Sequence, residues 1–160
     1  MKNRQFLLIL MLVVPWLTVP FLGRDALKKF LPNAIFITIL NKLLNVYGVE
    51  HKWWRHYRGI GPFVSIDFVL LGPYFVTSMW VLKLAYGQFW KYFITNKIIH
   101  ISFIFVGLKF LQKVKLFSLI KITKLQYFLI HITRGLILYL FQVIYDKLQK
   151  PKLPIVPRSQ

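Results

Sequence analysis

FLLILMLVVPWLTVPFL, residues 6–22, is a run of seventeen side chains without a charge. A helix rises about 1.5 Å per residue, so the run is barely long enough for a bilayer core of about 30 Å. Lys2 and Arg4 precede it. A basic start and an apolar run also describe a secretion signal. However, the end of the run, Pro15-Trp16-Leu17-Thr18-Val19-Pro20, offers no small-x-small cleavage site. The expectation is an uncleaved anchor. Pro15 and Pro20 lack the amide hydrogens of a regular helix, which predicts a kink or a break.

The same pattern recurs along the chain. Residues 62–82 carry one charge, Asp67, and Gly72-Pro73 near the middle predicts a kink. Residues 89–111 carry Lys91, Lys97, His100 and Lys109, and residues 125–145 carry His131 and Arg134. Residues 31–47 are amphipathic. Thr38, Asn41, Lys42 and Asn45 recur at helical spacing, with Ile35, Ile39 and Leu43 among the apolar positions opposite, and the helix is expected to start after Pro32. That helix either spans with its polar stripe turned into a bundle or lies in the headgroup layer. A stripe with a single charge favours spanning.

The expected fold is therefore an all-α, polytopic transmembrane helix bundle of five spans over residues 1–146. The alternative is four spans plus one interfacial amphipathic helix. Residues 147–160 carry Pro151, Pro154 and Pro157, which predicts an extended basic tail; a Pro-x-x-Pro ligand is the sharper reading of it. No internal repeat suggests an inverted-repeat transporter, and no alternating ten-residue strands suggest a β-barrel.

Composition agrees with a membrane. Hydrophobic residues make up 57% of the chain and charged residues 16%, too few charges to coat a soluble domain. There are 22 Lys plus Arg against four acids, a net charge of +18. The cations flank the apolar runs. That placement suits anionic headgroups, at about 1 kcal/mol each, better than nucleic acid. Cysteine is absent, which excludes disulfides, thiolate metal sites and a cysteine lipid anchor.

Two loops concentrate cations and aromatics. In residues 49–61, Lys52, Trp53, Trp54, Arg55 and Arg58 are expected at the membrane–water boundary, touching anionic lipid. Trp16, Trp80 and Trp90 are expected as further interfacial anchors near span ends. Lys115, Lys121 and Lys124 alternate with apolar residues and read as a basic helix on the membrane surface. With five spans the two loops share a side, and the cation bias makes that side cytoplasmic.

Three stretches belong together: VVPWLTVPFLGRDALKKFLP at 13–32, KWWRHY at 52–57 and GPYFVTSMWVLKLAYGQFWKY at 72–92. They resemble an uncharacterised family of small polytopic membrane proteins from endospore-forming Gram-positive bacteria. The resemblance covers most of the chain through the fifth span. It implies a multi-pass location in the cell membrane, carries no assigned activity and supplies no site residues.

Ionisable groups inside a span are costly and are the functional candidates: Asp67, Lys97, His100, His131 and Arg134. Estimated depths put Asp67 within reach of Arg134, with His131 one turn away. The cluster binds an ion, a proton or an anionic group, or it is a structural salt bridge with snorkelling cations. Enzyme signatures are missing: there is no HExxH, GxSxG or P-loop, and Ser65 and Asp67 point apart on a helix. His51 and His56 fit no common helical metal spacing, and no metal or cofactor is expected. The leading class is a non-enzymatic accessory or envelope-assembly component acting through a membrane-protein partner or its own copies. The alternative is a small transporter or channel subunit using the buried polar cluster.

Overall fold

The computed structural model describes residues 2–149. It is built almost wholly of helix, with five helical stretches long and apolar enough to cross a membrane. Residues 150–160, most of the expected tail, lie outside the described residues. Its first residues, 147–149, belong to the last turn of the final helix.

Helix α1 (Lys2–Trp16) carries Pro15 at its end and gives way to a 3₁₀ turn at Val19–Leu22. The break falls where the two prolines predict it. Gly23, at φ 78°, turns the chain into α2 (Arg24–Glu50). That helix begins well before Pro32, not after it, so its expected start is corrected. Pro32 forfeits one backbone hydrogen bond. Burial of Phe30 and packing of Leu27 hold the turns ahead of it, and Asp25 favours the positive N-terminal end.

The expected loop at 49–61 is ordered in part as strand. Strand β1 (Trp54–His56) precedes a hairpin of β2 (Arg58–Ile60) and β3 (Phe63–Val64). The chain then enters α3 (Ser65–Val69), a π turn (Leu70–Tyr74) and α4 (Phe75–Ala85), one continuous helical stretch. The π turn contains Gly72-Pro73, as a proline-induced irregularity should. Gly72 is required by packing. A Cβ there would lie 2.2 Å from the Met11 carbonyl oxygen, so α1 docks directly on the turn.

Helix α5 (Phe89–Ser102) runs through a second π turn (Phe103–Gly107) into α6 (Leu108–Lys113). Next comes β4 (Phe117–Leu119), where a basic surface helix was expected. β4 pairs antiparallel with β1, Trp54 opposite Leu119 and His56 opposite Phe117. Burial of Leu116 and Phe117 against Trp54 and Tyr127 pulls this segment inward and leaves Lys115 and Lys121 exposed. Helix α7 (Lys124–Gln149) closes the chain.

Two apolar clusters fill the interior. One joins α2, α4, the start of α5 and the later half of α7, around Phe30, Ile37, Met79 and Leu138. The other joins α1, β1, α3, α6, β4 and the start of α7, around Leu8, Trp54, Leu108 and Phe117. Large apolar side chains are also exposed on the outer faces of all five helical stretches, including Ile9, Leu43, Leu84, Val106 and Leu140.

Candidate functional site

Polar side chains line the facing surfaces of α2 and α7. Asn33 donates from Nδ2 to the Leu138 carbonyl and to Gln142 Oε1, both at 3.0 Å. Gln142 Nε2 donates to Asp146 Oδ1 at 2.8 Å. Further along, Arg134 donates from Nη1 to Asn41 Oδ1. Asn33, Asn41, Arg134 and Gln142 are all buried. On α2 the buried Asn33, Asn41 and Asn45 stand eight and four positions apart, so the polar stripe faces inward while Ile35, Ile39 and Leu43 face out.

A cavity of about 130 Å³ opens beside this seam, with Trp54 and Tyr127 of one cluster and Val81 and Leu138 of the other on its wall. Its polar lining includes Asn45, Ser78, His100, His131 and Arg134. The rings of His100 and His131 are 4.7 Å apart, and Tyr127 packs edge-on against His131 at 4.5 Å.

The hydrogen-bond accounting at the cavity is incomplete. Arg134 Nε, Asn41 Nδ2 and both ring nitrogens of His131 are buried without a partner. Such groups ordinarily find one. Arg134 also lacks a counter-charge: among the described residues the only side-chain ion pairs within 4 Å are Lys42–Asp67 and Lys29–Asp146. A guanidinium offers five donors in a fixed fork and stays charged. Here the Asn41 carbonyl oxygen and the neighbouring Tyr127 hydroxyl are its polar partners, and the cavity around it is lined mostly by apolar side chains. An anion with two or more acceptor oxygens is the chemistry that fits.

Arg134, His100 and His131 thus come together, while two of the other predicted site residues fall elsewhere. Asp67 does not pair with Arg134. Its Oδ1 accepts from Lys42 Nζ at 2.5 Å, and its Oδ2 accepts from the backbone N–H of Val64 at 3.0 Å. The depth estimate compared distances along the helices but carried no information about which helices are neighbours. Lys42 extends from α2 to the start of α3 and reaches Asp67 first. Lys97 is half-buried with Nζ 4.3 Å from the Phe93 ring centre, in a cleft outside the cavity.

The basic-aromatic loop also divides. Lys52 and Arg55 are exposed, and Trp53 is half-buried. Trp54 is buried at 3% exposure, over Gly48 and against Phe117 and Tyr127. It is a core residue, which corrects its assignment to the lipid interface. β4 covers a ring that the sequence alone left open. Arg58 lies on β2, but its side chain is outside the described part of the structure.

Next to the Lys42–Asp67 pair, His56 is half-buried with both ring nitrogens unpartnered. Burial is the main force on it and lowers its pKa to about 4; Asp67 opposes this and Lys42 adds to it. Among the described residues, no three His, Cys, Asp or Glu side chains gather closely enough to hold a metal ion.

Asn41, Asn45 and Ser78 were not among the predicted site residues. The inward stripe on α2 was a signal for the first two. Ser78 had none, since its hydroxyl is satisfied within its own helix by the Phe75 carbonyl. No family model, curated protein or solved structure matches this chain.

Proposed function

We propose that the chain is a multi-pass protein of the cell membrane that takes an anionic group into the cavity beside Arg134. It acts as a small transporter-type or ligand-carrying subunit without catalysis of its own. The observation that carries this reading is the buried guanidinium of Arg134, without a counter-charge, at a largely apolar cavity that it shares with His131, whose ring nitrogens are also without a partner. Membrane insertion is supported by the five long apolar helical stretches and by the exposed apolar side chains on their outer faces. In a bilayer a charged side chain costs about 2.5–3.5 kcal/mol near the centre on insertion scales, which an anionic ligand would offset. The clasp of β1 and β4, with Lys52, Arg55, Lys115 and Lys121 exposed around it, is assigned to the headgroup layer on the cytoplasmic side.

The test uses purified protein in a mild non-ionic detergent, with inorganic phosphate and phosphatidylglycerol as separate probes. At least one probe should raise the melting temperature of the wild type, and Arg134→Gln should abolish that rise. Lys83→Gln, which removes an exposed cation that does not line the cavity, should leave it unchanged. An equal rise in the Arg134 variant, or no rise with either probe, would remove the proposal.

A further inference from the structure

A second, smaller cleft adjoins the cavity. It lies between α5 and α7, holds about 10 Å³, and shares Asn96, His100, His131 and Gly135 with the cavity lining. These four residues form a common wall. On the cleft's outer side are Phe93, Lys97, Ile132 and Leu136. Leu136 is 40% exposed and belongs to the outer apolar face of α7, with Leu129 and Leu140. The cleft therefore faces sideways out of the bundle, among the apolar surfaces assigned to lipid.

The wall is thin where it matters. Gly135 presents no side chain, and a Cβ placed there would meet only the end of Asn96, at 3.9 Å. One side-chain hydrogen bond ties the two helices at this level, from the Tyr92 hydroxyl to the Gly135 carbonyl at 2.8 Å. Positive or proton-donating groups run inward in order: Lys97 at the mouth, His100 and His131 in the wall, Arg134 within. The outer surroundings are apolar.

We propose that the α5–α7 seam is a lateral portal and that the anionic group held by Arg134 is the phosphate of a membrane phospholipid, its acyl chains remaining outside. This rests on the Arg134 reading above. Charge complementarity and the sideways position of the cleft select a lipid over a free anion. A soluble phosphate has no need of an entrance on the apolar flank, whereas a lipid headgroup whose chains stay in the apolar layer requires one. The cleft as it stands admits no more than about one water, so headgroup entry requires α5 and α7 to part.

The absence of cysteine allows the seam to be locked in a controlled way. In Asn96→Cys, Gly135→Cys protein, oxidation joins α5 to α7 and reduction frees them. Native mass spectrometry reads binding of dioleoyl phosphatidylglycerol against dioleoyl phosphatidylcholine, and thermal shift reads inorganic phosphate. The reduced protein should prefer phosphatidylglycerol, and oxidation should weaken that binding roughly tenfold or more, as expected for losing charge-assisted hydrogen bonds. A phosphate-induced shift, where present, should survive oxidation. Equal lipid binding by oxidised and reduced protein would overturn the portal and leave the Arg134 reading intact. Arg134-dependent binding of phosphate without Arg134-dependent binding of the lipid would overturn the lipid assignment alone. No Arg134-dependent response to either probe removes both proposals. If the cross-link does not form, Lys97→Gln decides: weaker phosphatidylglycerol binding with the phosphate response intact supports the portal, and unchanged lipid binding refutes it.

Discussion

Asp67 and Arg134 show what burial asks of a single charge. Asp67 has Lys42 and a backbone N–H; Arg134 has neutral partners, the Asn41 amide oxygen and the Tyr127 hydroxyl, and no counter-charge. Lys42 is half-exposed, so its pairing energy is screened and should stay within about 1 kcal/mol. A double-mutant cycle of Lys42→Met with Asp67→Asn, read by thermal unfolding in detergent, should show coupling of that size. The cycle of Arg134→Gln with Asp67→Asn should be additive within about 0.5 kcal/mol. Coupling in the second cycle and none in the first would contradict the observed pairing. Asp67→Ala should cost more than Asp67→Asn, since it also removes the acceptor for the Val64 N–H. His56 adds a pH dependence. Its folded pKa lies near 4 against an ordinary 6.5, so the unfolded chain binds the proton more readily. The associated stability is complete above about pH 6.5 and is lost as pH falls towards 4, by an amount on the order of 3 kcal/mol at most. Melting curves from pH 7.5 to 4.5 should fall more steeply for the wild type than for His56→Gln. Parallel curves would show that burial of His56 is not felt.

Among the elements, the clasp of β1 and β4 is the least local. Its strands are three residues long and come from loops separated by two long helical stretches. Their pairing is fixed by what they cover: Trp54, Phe117 and Tyr127 pack together beneath them. Arg55 stands opposite Ser118 in the register. Arg55→Cys with Ser118→Cys should therefore form a disulfide under mild oxidation, within the Cα separation of about 4.4–6.8 Å that such bonds require. A basic helix at 115–124 lying on the membrane surface would leave the pair uncrosslinked. The two π turns differ in how visible they were. Gly72-Pro73 announces the first. The second, Phe103–Gly107, has no proline; there the Phe103 ring lies 2.7 Å from where a Gly107 Cβ would stand, a packing relation that no local pattern signals.

For the whole molecule, five successive helical stretches joined by short connections place the loop before α3 and the loop before α7 at one end, where β1 and β4 meet. The turns at Thr18–Gly23 and Tyr86–Gln88 fall at the other. Two outcomes follow if the bundle spans a membrane. The chain should stay with membranes through alkaline carbonate extraction. Cysteines introduced at Lys52 and Lys115 should react with a membrane-impermeant reagent from the cytoplasmic side, and one at Gln88 from the opposite side. Release by carbonate, or labelling of positions 52 and 88 from one side, would exclude the five-span arrangement.

The five long apolar helices, the approximate limits of all of them but α2, the break at Pro15 and Pro20, the kink at Gly72-Pro73 and the inward face of α2 were legible in the sequence. Each depends on interactions within a few residues or on a hydrophobic period, and both are written along the chain. His100, His131 and Arg134 were legible as candidates for the same reason: an ionisable residue in an apolar run is conspicuous. The partners were not. Whether Asp67 meets Arg134 or Lys42, whether Trp54 faces lipid or a core, and whether residues 117–119 form a helix or a strand all turn on which segments lie side by side. That is decided by the joint packing of α2, α5, α7 and the two loops, a competition among contacts distant in sequence. Only the tertiary structure resolves it, because the energy of each contact depends on the burial that all the others create.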